Sequence, residues 1–181
     1  MTSTAFHASG RLRHALAAAL AMLALVGALL APTPRASAQE GVLVATWVDD
    51  TGAELARRAF GLSDLEALGT TEIATSTPWT EGVVRFSGPT LAALAALEDR
   101  PVVEARLTAL NDYSIDVPAE DWAAHEVVLA SRADGARMRV RDRGPLWLVY
   151  PLDSDPALRS QRYHARMIWQ VRAVEFRVGA P

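Results

Sequence analysis

Apolar and polar residues alternate with a period of two along much of this chain, a pattern that predicts short half-buried strands. Val42 to Val48 is rich in β-branched residues and reads as the first strand, Asp49-Asp50-Thr51-Gly52 as a turn, and Leu55 to Phe60 as a second strand. Thr70 to Thr77 is extended, and Glu81-Gly82 turns into Val83 to Phe86. From Val102 to Leu110, the residues Val103, Ala105, Leu107 and Ala109 fall on one side and Glu104, Arg106 and Thr108 on the other. Asn111-Asp112 leads into Tyr113 to Val117 as the second arm of a hairpin. Glu126 to Ser131 is a further strand, followed by the hairpin dipeptide Asp134-Gly135, with Met138-Arg139-Val140 continuing beyond it. Leu146 to Tyr150 is an apolar run that reads as a buried central strand, begun by Gly144-Pro145 and stopped by Pro151. Arg166 to Gln170 fits either helix or strand, and Val171 to Val178 alternates as a closing strand.

Helical signals are fewer. Ser63 with Glu66 forms a capping box for a short helix through Leu68. Thr90 caps a helix whose stripe is Leu91, Leu94, Ala95 and Leu97. Ala119 to Ala124 is a third short helix, and Asp155-Pro156 opens a helical turn with Asp as cap and Pro at its first position. Many short strands with a few short helices define an α+β domain.

The N-terminal segment is different in kind. Arg11 and Arg13 precede an apolar run from Ala15 to Leu30, and Ala36-Ser37-Ala38 is a small-residue cleavage signal. Residues 1–38 therefore read as a signal peptide cleaved before Gln39, leaving residues 39–181 as one domain; an uncleaved anchor is the alternative. Arg11 and Arg13 are not adjacent, so the leader is of the general secretory type rather than the twin-arginine type. The expected location is periplasmic or secreted, with no permanent membrane anchor.

Three of the 18 basic residues and none of the 21 acids precede residue 39, so the remainder carries a formal charge of −6. That argues against nucleic-acid binding, which needs a basic surface to neutralise phosphate. There is no cysteine, hence no disulfide and no cysteine-based zinc, iron–sulfur or haem-attachment site. A Gly-rich phosphate loop and a G-x-S-x-G elbow are also absent from the sequence.

Several side chains stand out as candidate chemistry. Trp79, in a polar turn after Thr77 and Pro78, can stack on a planar ligand or fold back onto the sheet. Asn111 and Tyr113 occupy a strand-to-strand corner, where Asn also serves ordinary turn chemistry. Arg137, Arg139, Arg141 and Arg143 alternate; in an extended segment they would share one face and make an anion site, or else form surface ion pairs with Asp134 and Asp142. Arg143, beside Gly144, is the member best placed for a ligand to approach. His164, Arg166 and Trp169 can bind an oxyanion and wall a pocket, or be an ordinary surface His and core Trp.

Three segments, taken in order, carry a resemblance. Asn111-Asp112-Tyr113-Ser114-Ile115-Asp116-Val117-Pro118 is followed by Arg141-Asp142-Arg143-Gly144-Pro145-Leu146-Trp147-Leu148-Val149-Tyr150-Pro151, then by Met167-Ile168-Trp169-Gln170-Val171. In that order and spacing they resemble the sulfite-oxidase-type molybdopterin-binding domain, in particular a small exported branch of molybdopterin-dependent oxidoreductase-like proteins. The resemblance spans roughly Leu62 to Val178. It implies mixed sheets of short strands with short helices, an active pocket beside the Asn111–Tyr113 corner, and a pterin-phosphate border at the Arg143 segment. It also implies a cysteine thiolate on molybdenum, at a position that falls here around Thr75 to Thr77. Ser76 or Thr77 would take its place, and a hydroxyl is a harder, less readily ionised ligand than a thiolate. The general secretory leader points the same way, because such passengers cross unfolded and without cofactor.

The leading expectation is thus a binding module without redox metal and with no cofactor. It would take a small anionic ligand, or a periplasmic or membrane protein partner, through Thr77, Trp79, Asn111, Tyr113, Arg143, His164, Arg166 and Trp169. The alternative is a molybdopterin-dependent oxidoreductase with Ser76 or Thr77 on the metal. A purely structural assembly subunit comes last.

Overall fold

The computed structural model of the protein describes residues 41–179; the predicted leader and its cleavage point lie outside them. The larger of its sheets has five strands in the order β2-β1-β11-β5-β6, built from β1 (Leu43–Val48), β2 (Glu54–Phe60), β5 (Val102–Ala109), β6 (Ser114–Pro118) and β11 (Val171–Val178). β1 and β11 run parallel, and the other neighbours are antiparallel. The period-two pattern explains its faces. Leu43, Ala45 and Trp47 of β1, Ala105, Leu107 and Ala109 of β5, and Val174 and Phe176 of β11 are all buried. Trp47 packs on Phe176 with ring centroids 5.2 Å apart. On the other face, cross-strand partners pair by charge: Arg106 with Asp116 at 2.7 Å, and Arg177 with Glu104 at 3.1 Å. Val103, expected on the inner row, is exposed near the strand's end.

The expected closing strand is therefore central. β11 lies between β1 and β5, while Leu146 to Tyr150, expected to be central, belongs to a two-stranded ribbon of β10 (Trp147–Val149) with β7 (Val128–Ala130). It is nonetheless fully buried. A four-stranded sheet, β3-β4-β8-β9, completes the set: β3 (Thr71–Ser76), β4 (Val83–Gly88), β8 (Arg132–Ala133) and β9 (Ala136–Arg137). β4 can lie against β7 because Gly88 has no side chain; a Cβ there would collide with the Leu129 carbonyl. Among the described residues four short helices accompany the sheets: α1 (Leu62–Ala67), α2 (Leu91–Ala95), α3 (Ala119–Ala124) and α4 (Gln161–Arg166). The architecture is α+β, with mixed sheets of short strands and a few short helices around a common apolar core.

Two local expectations are corrected. The cap of α1 is Gly61, whose N–H donates to the Asp64 carboxylate at 2.8 Å, and not Ser63. Glu66 is drawn instead to Arg132 and Arg137 at 3.0 and 3.1 Å. Its carboxyl is held below its ordinary value by the hydrogen bonds from those two arginines. The thread of alternating arginines is not extended either. After Arg137 the chain enters a 3₁₀ turn over Val140–Asp142, and Arg143 takes a left-handed conformation at φ 67°. Arg137 binds Glu66 and Arg139 binds Asp142 at 2.6 Å, so the four guanidinium groups do not form one face.

Gly144 closes this turn, its N–H donating to the Arg139 carbonyl at 2.8 Å. A Cβ on it would collide with the Met138 carbonyl. Gly144→Ala is expected to cost at least 1–3 kcal/mol (roughly the overpacking range), read from urea midpoints, because backbone rather than a flexible side chain must give way.

Candidate functional site

One cavity of about 300 Å³ collects residues from three distant stretches of the chain: Trp79, the Asn111–Tyr113 corner, and the end of α4 through Trp169. Its apolar wall is Ala109, Ala165, Met167 and Ile168.

Each polar or aromatic member is held by local chemistry. Trp79 sits in a turn where the Thr77 hydroxyl accepts its N–H at 3.2 Å and shares a 3.0 Å hydrogen bond with Thr80. Its ring both packs on the core and lines the cavity. At the corner, Asp112 takes φ 65° and pairs with Arg172, and the Asn111 side-chain oxygen accepts the Tyr113 N–H at 3.2 Å. Turn chemistry and cavity lining again coexist. The segment after α4 is pinned to β10: Leu148 N–H donates to Ile168 O at 2.9 Å, and the Trp147 indole N–H donates to Met167 O at 3.1 Å. That presents Trp169 beside Trp79 with centroids 5.4 Å apart and rings inclined at 73°. His164 meets Trp79 at 6.1 Å and 72°, also edge to face.

Of the residues singled out from sequence, Trp79, Asn111, Tyr113, His164 and Trp169 meet at this cavity. Thr77 and Ser76 face a neighbouring cavity of about 220 Å³ that shares His164 as a wall. Arg143 does not line the main cavity. Its guanidinium stacks 5.3 Å from the Trp147 ring centroid and 5.9 Å from that of Trp169. It has no carboxylate partner among the described residues.

Arg166 is committed elsewhere. It donates to Asp121 at 2.6 Å, and the same carboxylate oxygen accepts the Tyr150 hydroxyl at 2.7 Å. Sequence reading passed over this buried network. Asp121 stands in the first turn of α3, where an acid is ordinary, and its partners lie 29 and 45 residues away. Burial, and then the adjacent Asp121 carboxylate, push the Tyr150 hydroxyl far above its ordinary value of 10.0. The folded state thus keeps this proton where the unfolded chain releases it, so the contribution is intact below about pH 10 and is lost as pH rises above it. A thermal-melt series is expected to fall steeply above that pH. Tyr150→Phe should flatten this limb while lowering stability by about 1.5–3 kcal/mol at pH 8, from loss of a hydrogen bond to a charged acceptor.

The hydroxyls at the position implied for a molybdenum ligand are already engaged. The Thr75 hydroxyl is fully buried, donates to Ser76 O and accepts Asp153 N–H, both at 3.2 Å. Ser76 Oγ donates to Asp153 at 2.8 Å and its N–H donates to the same carboxylate at 2.6 Å. Those bonds, the backbone one foremost, hold the Asp153 carboxyl below its ordinary range. The Thr75 and Ser76 hydroxyls tie β3 to the loop after β10, and the Thr77 hydroxyl holds the Trp79 turn. Among the described residues no group of three or more His, Asp or Glu side chains is placed to hold a metal ion, and no helix is long and apolar enough to cross a membrane.

Compared with known proteins, the chain matches no family model and no curated protein.

Proposed function

We propose that the chain is an exported binding module: a scaffold of the sulfite-oxidase-type molybdopterin domain that carries no redox metal and takes a small anionic ligand in its aromatic cavity. The observation that carries this reading is the meeting of Trp79, Asn111, Tyr113, His164 and Trp169 around one space of about 300 Å³. An apolar pocket with a few convergent polar groups is the usual form of a small-molecule site. The unpaired Arg143 next to Trp169 adds positive potential at its edge. A molybdopterin enzyme has less support, because the hydroxyls that would replace the thiolate are already engaged, Ser76 with Asp153 and Thr77 with Thr80. The fold label rests on the three-segment sequence resemblance. The export assignment rests on the leader pattern.

A protein partner at the same mouth is the second reading, favoured by the exposure of Leu110, Tyr113, Val140 and Trp169. Gln170, next to Trp169, ties two of these residues together: its backbone carbonyl accepts Leu110 N–H at 2.9 Å, and its side chain donates to Val140 O at 2.7 Å.

The cavity reading is tested by following the indole N–H signals of Trp79 and Trp169 by NMR while small molecules are titrated in. Trp169→Ala is expected to weaken any ligand that shifts both signals by about tenfold or more, the usual loss for a truncated aromatic anchor. Because Trp169 is 37 % exposed, its loss should cost only about 1 kcal/mol in stability. Equal affinity in Trp169→Ala and the parent would place binding elsewhere.

A further inference from the structure

We infer that the ligand of this cavity is an aromatic carboxylate of one or two rings; the inference rests on the cavity reading above and gives it a ligand class. The lining offers free hydrogen-bond donors and no carboxylate among the described residues. The Asn111 side-chain oxygen is already taken by the Tyr113 N–H, which leaves its NH₂ group as the free end. The Tyr113 hydroxyl and the His164 ring make no hydrogen bond among the described residues, and the hydroxyl and one ring N–H can donate. Among the described residues no aspartate or glutamate lines the space. The nearby acids are committed, Asp112 to Arg172 and Asp121 to Arg166. A site with several free donors and no carboxylate among its described lining residues suits a ligand that brings acceptors, and a carboxylate brings two oxygens with about four lone-pair positions.

Charge selects in the same direction. An aromatic enclosure alone would also suit an organic cation. Here Arg143 already occupies the neighbourhood of the Trp169 ring and has no carboxylate partner among the described residues, so a second cation would be repelled and an anion attracted. The ring requirement comes from the walls. Trp79, Trp169, Tyr113 and His164 are four aromatic surfaces, and the first is set nearly perpendicular to two of the others. A flat ring entering such a cluster continues its edge-to-face packing, which a saturated ring cannot do as well. The volume lies near the lower end for small-molecule sites (roughly 300–1,000 Å³), which sets the limit at one or two rings.

The test is calorimetric titration of the purified protein with benzoate, benzamide, cyclohexanecarboxylate and tetramethylammonium, with the Trp79 and Trp169 indole signals followed in parallel. Benzoate should bind at least tenfold more tightly than each of the other three. Tyr113→Phe, at an exposed position, and Asn111→Ala should each weaken benzoate several-fold and leave benzamide little changed. Benzamide, cyclohexanecarboxylate or tetramethylammonium binding as well as benzoate, with the indoles shifting, would overturn the ligand class and leave the cavity reading standing. No shift of either indole with any of the four would count against both.

Discussion

Trp147→Ala is expected to lower stability by about 3–5 kcal/mol, the range for removing a large buried aromatic. The ring is 2 % exposed. It meets Phe86 at 5.2 Å, Trp79 at 6.1 Å and Trp169 at 6.3 Å, with the Arg143 guanidinium over it at 5.3 Å. Its N–H donates to Met167 O, so truncation also frees the segment that forms the apolar wall of the cavity. Total stabilities of domains this size are about 5–15 kcal/mol, so the loss is a large share. Trp147→Phe keeps most of the packing and removes the N–H donor, and should cost clearly less. Urea unfolding of the two variants checks the ordering; equal losses would mean that the hydrogen bond, not the packing, dominates.

Asp121→Ala is the second large effect, again about 3–5 kcal/mol, because it leaves a mostly buried guanidinium without its counter-charge. The Arg166 side chain is 18 % exposed and that of Asp121 is 7 % exposed, so water can do little to replace the bond. The pair joins α3 to α4, and Tyr150, just past β10, joins both. Since α4 carries His164, the variant should weaken cavity ligands as well as destabilise. Combining Asp121→Ala with Arg166→Met removes both charges and should recover part of the loss. A double variant no better than the single one would show that the cost is packing and not an uncompensated charge.

The strands were legible where one face is buried and the other wet. β1, β5 and β11 announce themselves by alternation, and the Thr90 cap and the Asp155-Pro156 turn by residue type. Alternation tells which face of a strand is buried and not which strands flank it, so the central place of β11 could not be read. Competition between distant partners decided the rest. Both Ser63/Glu66 and Gly61/Asp64 have capping spacing, and Glu66 is removed from the contest by Arg132 and Arg137, 66 and 71 residues away. The Arg137–Arg143 segment bends because Arg139 binds Asp142 three residues on and its carbonyl accepts the Gly144 N–H. At the cavity, Trp79, Asn111, Tyr113, His164 and Trp169 were conspicuous as aromatic or polar residues at turns and segment ends. Ala109, Ala165, Met167 and Ile168 carry no such mark, and Arg166 could not be separated from the cavity group without sight of Asp121.

The most direct measurement is the native mass of the protein purified from its natural source, compared with that of Trp169→Ala prepared in the same way. The account predicts a small organic adduct without molybdenum on the parent, reduced or lost in the variant. An adduct with the mass of a molybdenum–pterin cofactor, at near-stoichiometric occupancy, would contradict it.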